Sequence, residues 1–298
     1  MPSHSVRARL RFVLFDLEPR RKVTKGKEFQ GKVVIITGGA SGIGRALARR
    51  FARGGARLGL LDMDGEALRR EADHLASNGT EVVPAACDVS ERRSCQSGIG
   101  AVLDRFGRID VLVNNAGITA RARFADTRAE VFERVMAVNF FGALYCTQAA
   151  LPSLRAARGL IVVVESLAGV SPLLGRSAYC ASKHALHGLF TTLRAESRSD
   201  GIQVMIACPG FVQTNLQQRA LGGDGRVTAR PQSRVGRQTS AAAVADTLYR
   251  AALRRRPLVV LTPVGRIAYW VSRLMPLTYE RLMARQFAVE LAREAQVP

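Results

Sequence analysis

Short β-branched runs alternating with stretches of helical spacing limit what this chain can fold into more than any other property it has. The runs at Val33–Thr37, Arg57–Asp62, 81–86, 109–114, 160–166 and 202–208 are apolar on both faces. Between them Gly42–Arg53, Gly65–Ser77, 91–105 and 176–198 carry apolar residues at helical spacing, with arginine and glutamate outward. A strand lacking polar alternation must be covered on both sides, and right-handed crossovers place helices on both faces of a parallel sheet. The expected fold class is therefore α/β, a doubly wound parallel sheet. The polar, glycine-rich stretch 217–239 reads as a mobile loop. A helix over 240–253 and a last strand at 258–261 follow it, and 267–295 is expected to be an amphipathic helical tail broken at Pro276.

With 298 residues, 47% apolar and 23% charged, the chain has material for a sizeable core, and disorder is not expected. Cys87, Cys95, Cys146, Cys180 and Cys208 are odd in number and form no CxxC pair. A disulfide framework or a metal site is therefore not expected, and the cysteines read as small buried side chains in a reducing cytoplasm. The best apolar stretch, 258–271, is interrupted by Pro263 and Arg266, so no spanning helix is expected. Residues 12–17 are too few and too closely followed by charge to serve as a secretory core.

The net charge of +20 is concentrated at the N-terminus (Arg7, Arg9, Arg11, Arg20, Arg21, Lys22, Lys25, Lys27), in 219–237 and in 250–285. These clusters flank the patterned body and suit an anionic partner. The expected location is cytoplasmic, with peripheral association with an anionic membrane as a further expectation; nucleic acid is not an expected partner.

The first strand runs into Thr37-Gly38-Gly39-Ala40-Ser41-Gly42-Ile43-Gly44 and then directly into a helix. Glycines let a backbone turn sharply and approach a pyrophosphate, and a helix N-terminus offers free N–H groups and a positive dipole end. Asp62 closes the second strand eighteen residues after Gly44, a distance at which a carboxylate can accept hydrogen bonds from an adenosine ribose. A carboxylate about 4 Å from a 2′-phosphate would be repelled by several kcal/mol at an effective dielectric of about 20, which favours NAD over NADP. Arg45 is the residue that could offset Asp62, so NADP remains the alternative. Tyr179 and Lys183 lie four apart in a helical stretch and therefore share a face. An ammonium near a phenol stabilises phenolate, which would let a tyrosine serve as acid or base near neutrality.

These motifs, in this order over about 31–216, resemble the short-chain dehydrogenase/reductase family, and most closely its membrane-associated branch containing the 11β-hydroxysteroid dehydrogenases. The resemblance implies a Rossmann-type domain over 31–262 with 217–239 as its substrate loop, preceded by a basic extension, 1–30, and followed by the helical tail, 263–298. It implies cofactor contacts from Thr37, Gly38, Ser41, Gly42, Ile43 and Gly44, with Ser41 in a place where NADP-using relatives often carry a basic residue. Asp62, Asp88, Val89, Asn115, Ala116 and Gly117 would border the adenosine. Tyr179, Lys183 and the segment Pro209, Gly210, Val212 and Thr214 would meet the nicotinamide end.

By the same resemblance Tyr179 moves the proton, Ser166 orients the substrate oxygen, Lys183 tunes the tyrosine and Asn139 holds a water linking the lysine to solvent. Glu165 departs from the second serine many relatives have. His184 and His187 are read as helix-packing or surface residues. The implied activity is reversible hydride transfer between a nicotinamide and a secondary alcohol or ketone of lipophilic character, a steroid, retinoid or acyl lipid, with Leu173, Leu174, Phe211 and Leu216 as lining. A homodimer or homotetramer is implied as well. The alternative is a non-catalytic nucleotide-sensing or membrane- or nucleic-acid-binding protein on the same fold.

Overall fold

The computed structural model describes residues 27–228 and 238–294, with side chains through Arg285. The basic positions from Arg7 to Lys25 and the loop positions 229–237 lie outside the described residues. Seven strands form a parallel sheet: β1 (Val33–Thr37), β2 (Arg57–Asp62), β3 (Val82–Ala86), β4 (Val111–Asn114), β5 (Leu160–Val164), β6 (Gln203–Cys208) and, counted after two short strands described below, β9 (Leu258–Val260). The sheet order is β3-β2-β1-β4-β5-β6-β9. The order reverses between β1 and β4, whose registered pairs run from Val34↔Val111 to Ile36↔Val113. The inner strands β1, β4 and β5 are buried at every position, as apolar runs without alternation require. Pro84 stands in β3, at the sheet edge, where a missing N–H costs least.

The crossover helices are α1 (Gly42–Arg53), α2 (Gly65–Ser77), α3 (Arg92–Phe106), α4 (Ala129–Met136), α5 (Gly142–Ala157) and α6 (Ser177–Glu196), followed by α7 (Ala241–Leu253), α8 (Pro263–Leu274) and α9 (Pro276–Glu294). Several starts are written in local side chains: Asp64 accepts from the Ala67 N–H, Ser240 from Ala243 and Thr262 from Gly265, with Pro263 in the first turn of α8. Two apolar clusters fill the two sides of the sheet, one holding Ile35, Leu61, Ile161 and Phe190, the other Ile36, Leu47, Leu60 and Tyr249.

Three boundaries differ from the sequence reading. Phe29 is buried against Phe51 and Tyr249, and Glu28 accepts from the Tyr249 hydroxyl at 2.7 Å, so the domain begins before 31. The tail belongs to the domain too, because Tyr269 of α8 joins the main core and α8 packs on α9 over the cleft. The first part of the expected mobile loop is tied down: Leu221 exchanges backbone hydrogen bonds with Thr119 and Arg121, and the Thr228 N–H donates to Ala220.

The alternation in the sequence left 115–159 without an assigned element, and helix fills most of it. Residues Ala137–Phe141 form a π-helical turn between α4 and α5, which shifts the phase of the apolar pattern, and Pro152 sits inside α5. Among the described residues Ala129–Ala157 is the one helical run long and apolar enough to cross a membrane. Its inner face, with Cys146, Ala150 and Leu154, is buried in the core.

Candidate active site

Every crossover returns the chain to the same edge of the sheet. The carboxyl ends of β1, β2, β3, β4, β5 and β6 therefore line one cleft, of about 1120 Å³, at the point where strand order reverses. At one end Gly38 and Gly42 adopt φ of +66° and +52°, a conformation side chains resist. A Cβ on Gly42 would reach 3.3 Å from the Thr214 side chain, and one on Gly44 would collide with the Gly38 carbonyl oxygen. Ser41 makes no side-chain cap on α1, so the first-turn N–H groups are left for another acceptor. Asp62 lines the same end; its carboxylate accepts from the Ala40 N–H at 3.0 Å and the Asp64 N–H at 3.1 Å, which fixes its direction.

Most predicted residues meet here. Gly38, Ser41, Gly42, Ile43, Asp62, Asp88, Val89, Asn115, Ala116 and Gly117 line one arm of the cleft. Ser166, Tyr179, Lys183, Pro209, Gly210, Val212 and Thr214 line the other, with Leu173, Phe211 and Leu216. Four predicted residues do not line it. Thr37 is buried, its hydroxyl accepting from the N–H groups of Asn115 and Ala116 at 3.0 Å, and so latches β1 to β4. Gly44 lies behind the loop, where only a hydrogen fits. Leu174 is turned outward and exposed.

Asn139, the fourth, is buried in the π-helical turn. Its side-chain oxygen accepts from the Ile118 N–H at 2.8 Å, and its amide donates to the Ile118 carbonyl at 3.0 Å and to the Ser182 hydroxyl at 2.9 Å. It braces the segment after β4 against α6 with all of its side chain committed.

Tyr179 and Lys183 project from the first turns of α6, the Lys183 Nζ 5.7 Å from the centre of the Tyr179 ring. Ser166, which follows β5, lines the same cleft, and its hydroxyl accepts from the Ala168 N–H at 3.1 Å. Burial pushes the Tyr179 phenol up to about 12, against the opposing pull of nearby Ser166 and of the Arg176 charge. Burial also brings Lys183 down to about 8, with Glu165 opposing. The Lys183 Nζ donates to the Val164 carbonyl at 3.1 Å.

Sequence reasoning missed Arg176, buried at the start of α6 and lining the cleft, and the cover provided by Val264, Ile267, Val271, Leu282 and Met283 of α8 and α9. The apolar spacing of 263–285 signalled helices but not what they cover.

The short-chain dehydrogenase model matches residues 32–223. This chain belongs to the short-chain dehydrogenase family. It is thereby an oxidoreductase by family, and relatives of similar length carry the same description: it is 36% identical over 260 residues to the dehydrogenase/reductase SDR family member 7B of Bos taurus, covering 85% of this chain and 80% of that protein. It is 34% identical over 281 residues to the SDR family protein 7-like of Anopheles gambiae, covering 92% and 89%. Among solved structures, a short-chain dehydrogenase/reductase of Burkholderia phymatum in complex with NAD superposes with a TM-score of 0.74 at 29% identity, over 83% of this chain and 94% of that one. An alcohol dehydrogenase of Thermococcus sibiricus complexed with 5-hydroxy-NADP gives 0.66 at 29% identity, over 77% and 94%.

Proposed function

We propose that this short-chain dehydrogenase interconverts a secondary alcohol and a ketone on a lipophilic molecule with NAD(H), NADP(H) being the disfavoured partner. The observation that carries the reading is that Ser166, Tyr179 and Lys183 line one cleft that is continuous with the glycine cradle, the Lys183 Nζ 5.7 Å from the centre of the Tyr179 ring. The cradle fits a dinucleotide: the backbone turns at Gly38 and Gly42 leave room for a pyrophosphate beside the uncapped start of α1. When bound, the nicotinamide supplies or accepts the hydride. Ser166 donates to the substrate oxygen, and Tyr179 gives or takes the proton at that same oxygen. With its phenol held neutral by burial, Tyr179 is poised as the acid of the ketone-reducing direction. Lys183 holds positive charge behind it, and Asn139 positions α6 through Ser182. Asp62 supports NAD, since a 2′-phosphate would meet a fixed carboxylate.

A lipophilic substrate is supported by Leu173, Phe211, Leu216, Val264, Val271 and Met283, which give the substrate arm its apolar wall. The same helices support a peripheral membrane site. Ile267, Leu274 and Leu277 are 66%, 72% and 64% exposed and stand among Arg266, Arg273 and Arg281, a pairing suited to an anionic bilayer. The test is NADH and NADPH binding by fluorescence, followed by oxidation of steroid, retinoid and aliphatic secondary alcohols. Preferential NADH binding with turnover that Tyr179→Phe abolishes is the expected result; binding of neither nucleotide sinks the reading.

A further inference from the structure

The cleft has a buried acid that the reaction as described leaves unused. Glu165 sits between the end of β5 and Ser166, its side chain fully buried. One oxygen, Oε2, lies 3.1 Å from Nδ1 of His187 on α6. The other, Oε1, has no hydrogen-bond partner among the described residues and is packed against Gly169, where a Cβ would overlap it. A carboxylate in such a place is costly unless other charges compensate.

The histidine's proton can be placed. His187 Nε2 is 3.1 Å from a terminal nitrogen of Arg273 on α8. A guanidinium has donors only, so Nε2 must accept, and the ring proton is left on Nδ1 to be donated to Glu165. The result is a directed chain: Arg273 donates to His187, and His187 donates to Glu165. At its inner end is Lys183, whose Nζ is anchored on the carbonyl of Val164, the residue preceding Glu165.

The groups facing this point come from four elements. Tyr179, Lys183, His184 and His187 are on α6, Cys208 ends β6, Tyr269 and Arg273 are on α8, and Glu165 itself follows β5. The Cys208 thiol is pushed well up by burial and stays neutral, so Glu165 is the acid among these groups left to face the lysine. Burial raises the Glu165 carboxyl, and the His187 hydrogen bond and the Lys183 charge offset part of that rise. Burial lowers Lys183, and Glu165 is the foremost opposing cause.

We propose that Glu165 is a positioning residue, the counter-charge of Lys183, kept in its ionised form by the His187–Arg273 chain, so that helix α8 sets the charge of the catalytic lysine from outside the cleft. The proposal rests on the dehydrogenase reading for its meaning in turnover, but it makes a claim about the cofactor-free protein as well. With the carboxylate gone, nothing of comparable size opposes the desolvation of Lys183, and the lysine would lose its proton nearer neutrality.

The experiment titrates the Lys183 Cε carbon by NMR in the cofactor-free protein, assigned with Lys183→Arg, and records the pH dependence of kcat/KM on the alcohol that wild type turns over. For Glu165→Gln the expected result is a Lys183 midpoint lower by about one unit or more, the effect of removing one adjacent opposite charge, with the alkaline limb of kcat/KM moving down by a similar amount and Glu165→Asp restoring part of both. Arg273→Met, a surface change that spares the fold should Glu165→Gln not fold, is expected to release the fixed Nδ1–H tautomer of His187, read from its ring nitrogen shifts, and to lower the same midpoint by less. An unmoved Lys183 midpoint in either folded variant overturns the proposal, whatever happens to kcat. Absence of wild-type turnover overturns the dehydrogenase reading instead and leaves the lysine titration to decide this one.

Discussion

Tyr179 concentrates the reaction in one hydroxyl, and its removal tests the site at small structural cost. Tyr179→Phe keeps the ring that packs beside Ala168 and Cys180 while deleting the hydroxyl. We expect kcat to fall by about a thousandfold, within the range that general acid–base groups contribute, with NADH binding by fluorescence largely intact. Concurrent loss of binding would mean that the site, and not its chemistry, had been damaged. Gly44→Ala is a complementary case, because the added methyl meets the backbone of Gly38, which cannot swing away, as well as the Asn115 amide. An overpacked backbone contact costs about 1–3 kcal/mol, so urea unfolding should show a loss of that size, together with weakened NADH binding as the loop shifts. A stable variant with unchanged affinity would show that the cradle tolerates movement at this point.

The strands and helices explain both what could be read in advance and what could not. Asp110, just before β4, accepts from the Val33 N–H at 3.0 Å and from Lys32 and Arg108, tying the start of β1 to that of β4. Burial pushes its carboxyl up, but the Val33 N–H, Arg108 and Lys32 together outweigh burial and hold it below the usual carboxylate range. A group depressed in this way stabilises the fold fully above its unfolded pKa of about 3.9 and loses that contribution as pH falls through the lower folded value. Asp110→Asn should therefore cost about 1–3 kcal/mol at pH 7 and flatten the acid side of the stability profile, measured by urea unfolding at pH 7 and pH 3. Equal losses at both would show that its charge has no part. The sheet and the glycine loop were legible because unbroken apolar runs and glycine spacing are local facts. Helix over 115–159 was not, because the π-helical turn around Asn139 breaks the period on which such reading depends. The roles of Thr37, Arg176 and the Glu165–His187–Arg273 chain were hidden for another reason: each is defined by partners far away in sequence, and Leu174 turns outward although its neighbour Leu173 lines the cleft.

Charge and shape together set how the assembled protein meets its surroundings. With a net charge of +20 and an apolar, arginine-flanked face on α8 and α9 next to the cleft, we expect cosedimentation with phosphatidylserine vesicles at low salt that weakens as salt screens the arginines. Ile267→Glu with Leu274→Glu should reduce it further at fixed salt. Equal binding to neutral vesicles, or no response to the double substitution, would assign the exposed side chains another role. One small element bears on the history of such proteins. Two short strands, β7 (Val212–Gln213) and β8 (Thr239–Ser240), pair Val212 with Thr239 and Gln213 with Ser240, and so clamp both ends of the chain between them at the rim of the cleft. Closing a loop costs only about 0.6 kcal/mol more for each doubling of its length. A descendant could thus lengthen, shorten or exchange that stretch while the sheet and the proton-transfer group stay as they are, and substrate preference would be free to diverge without a new fold having to be found.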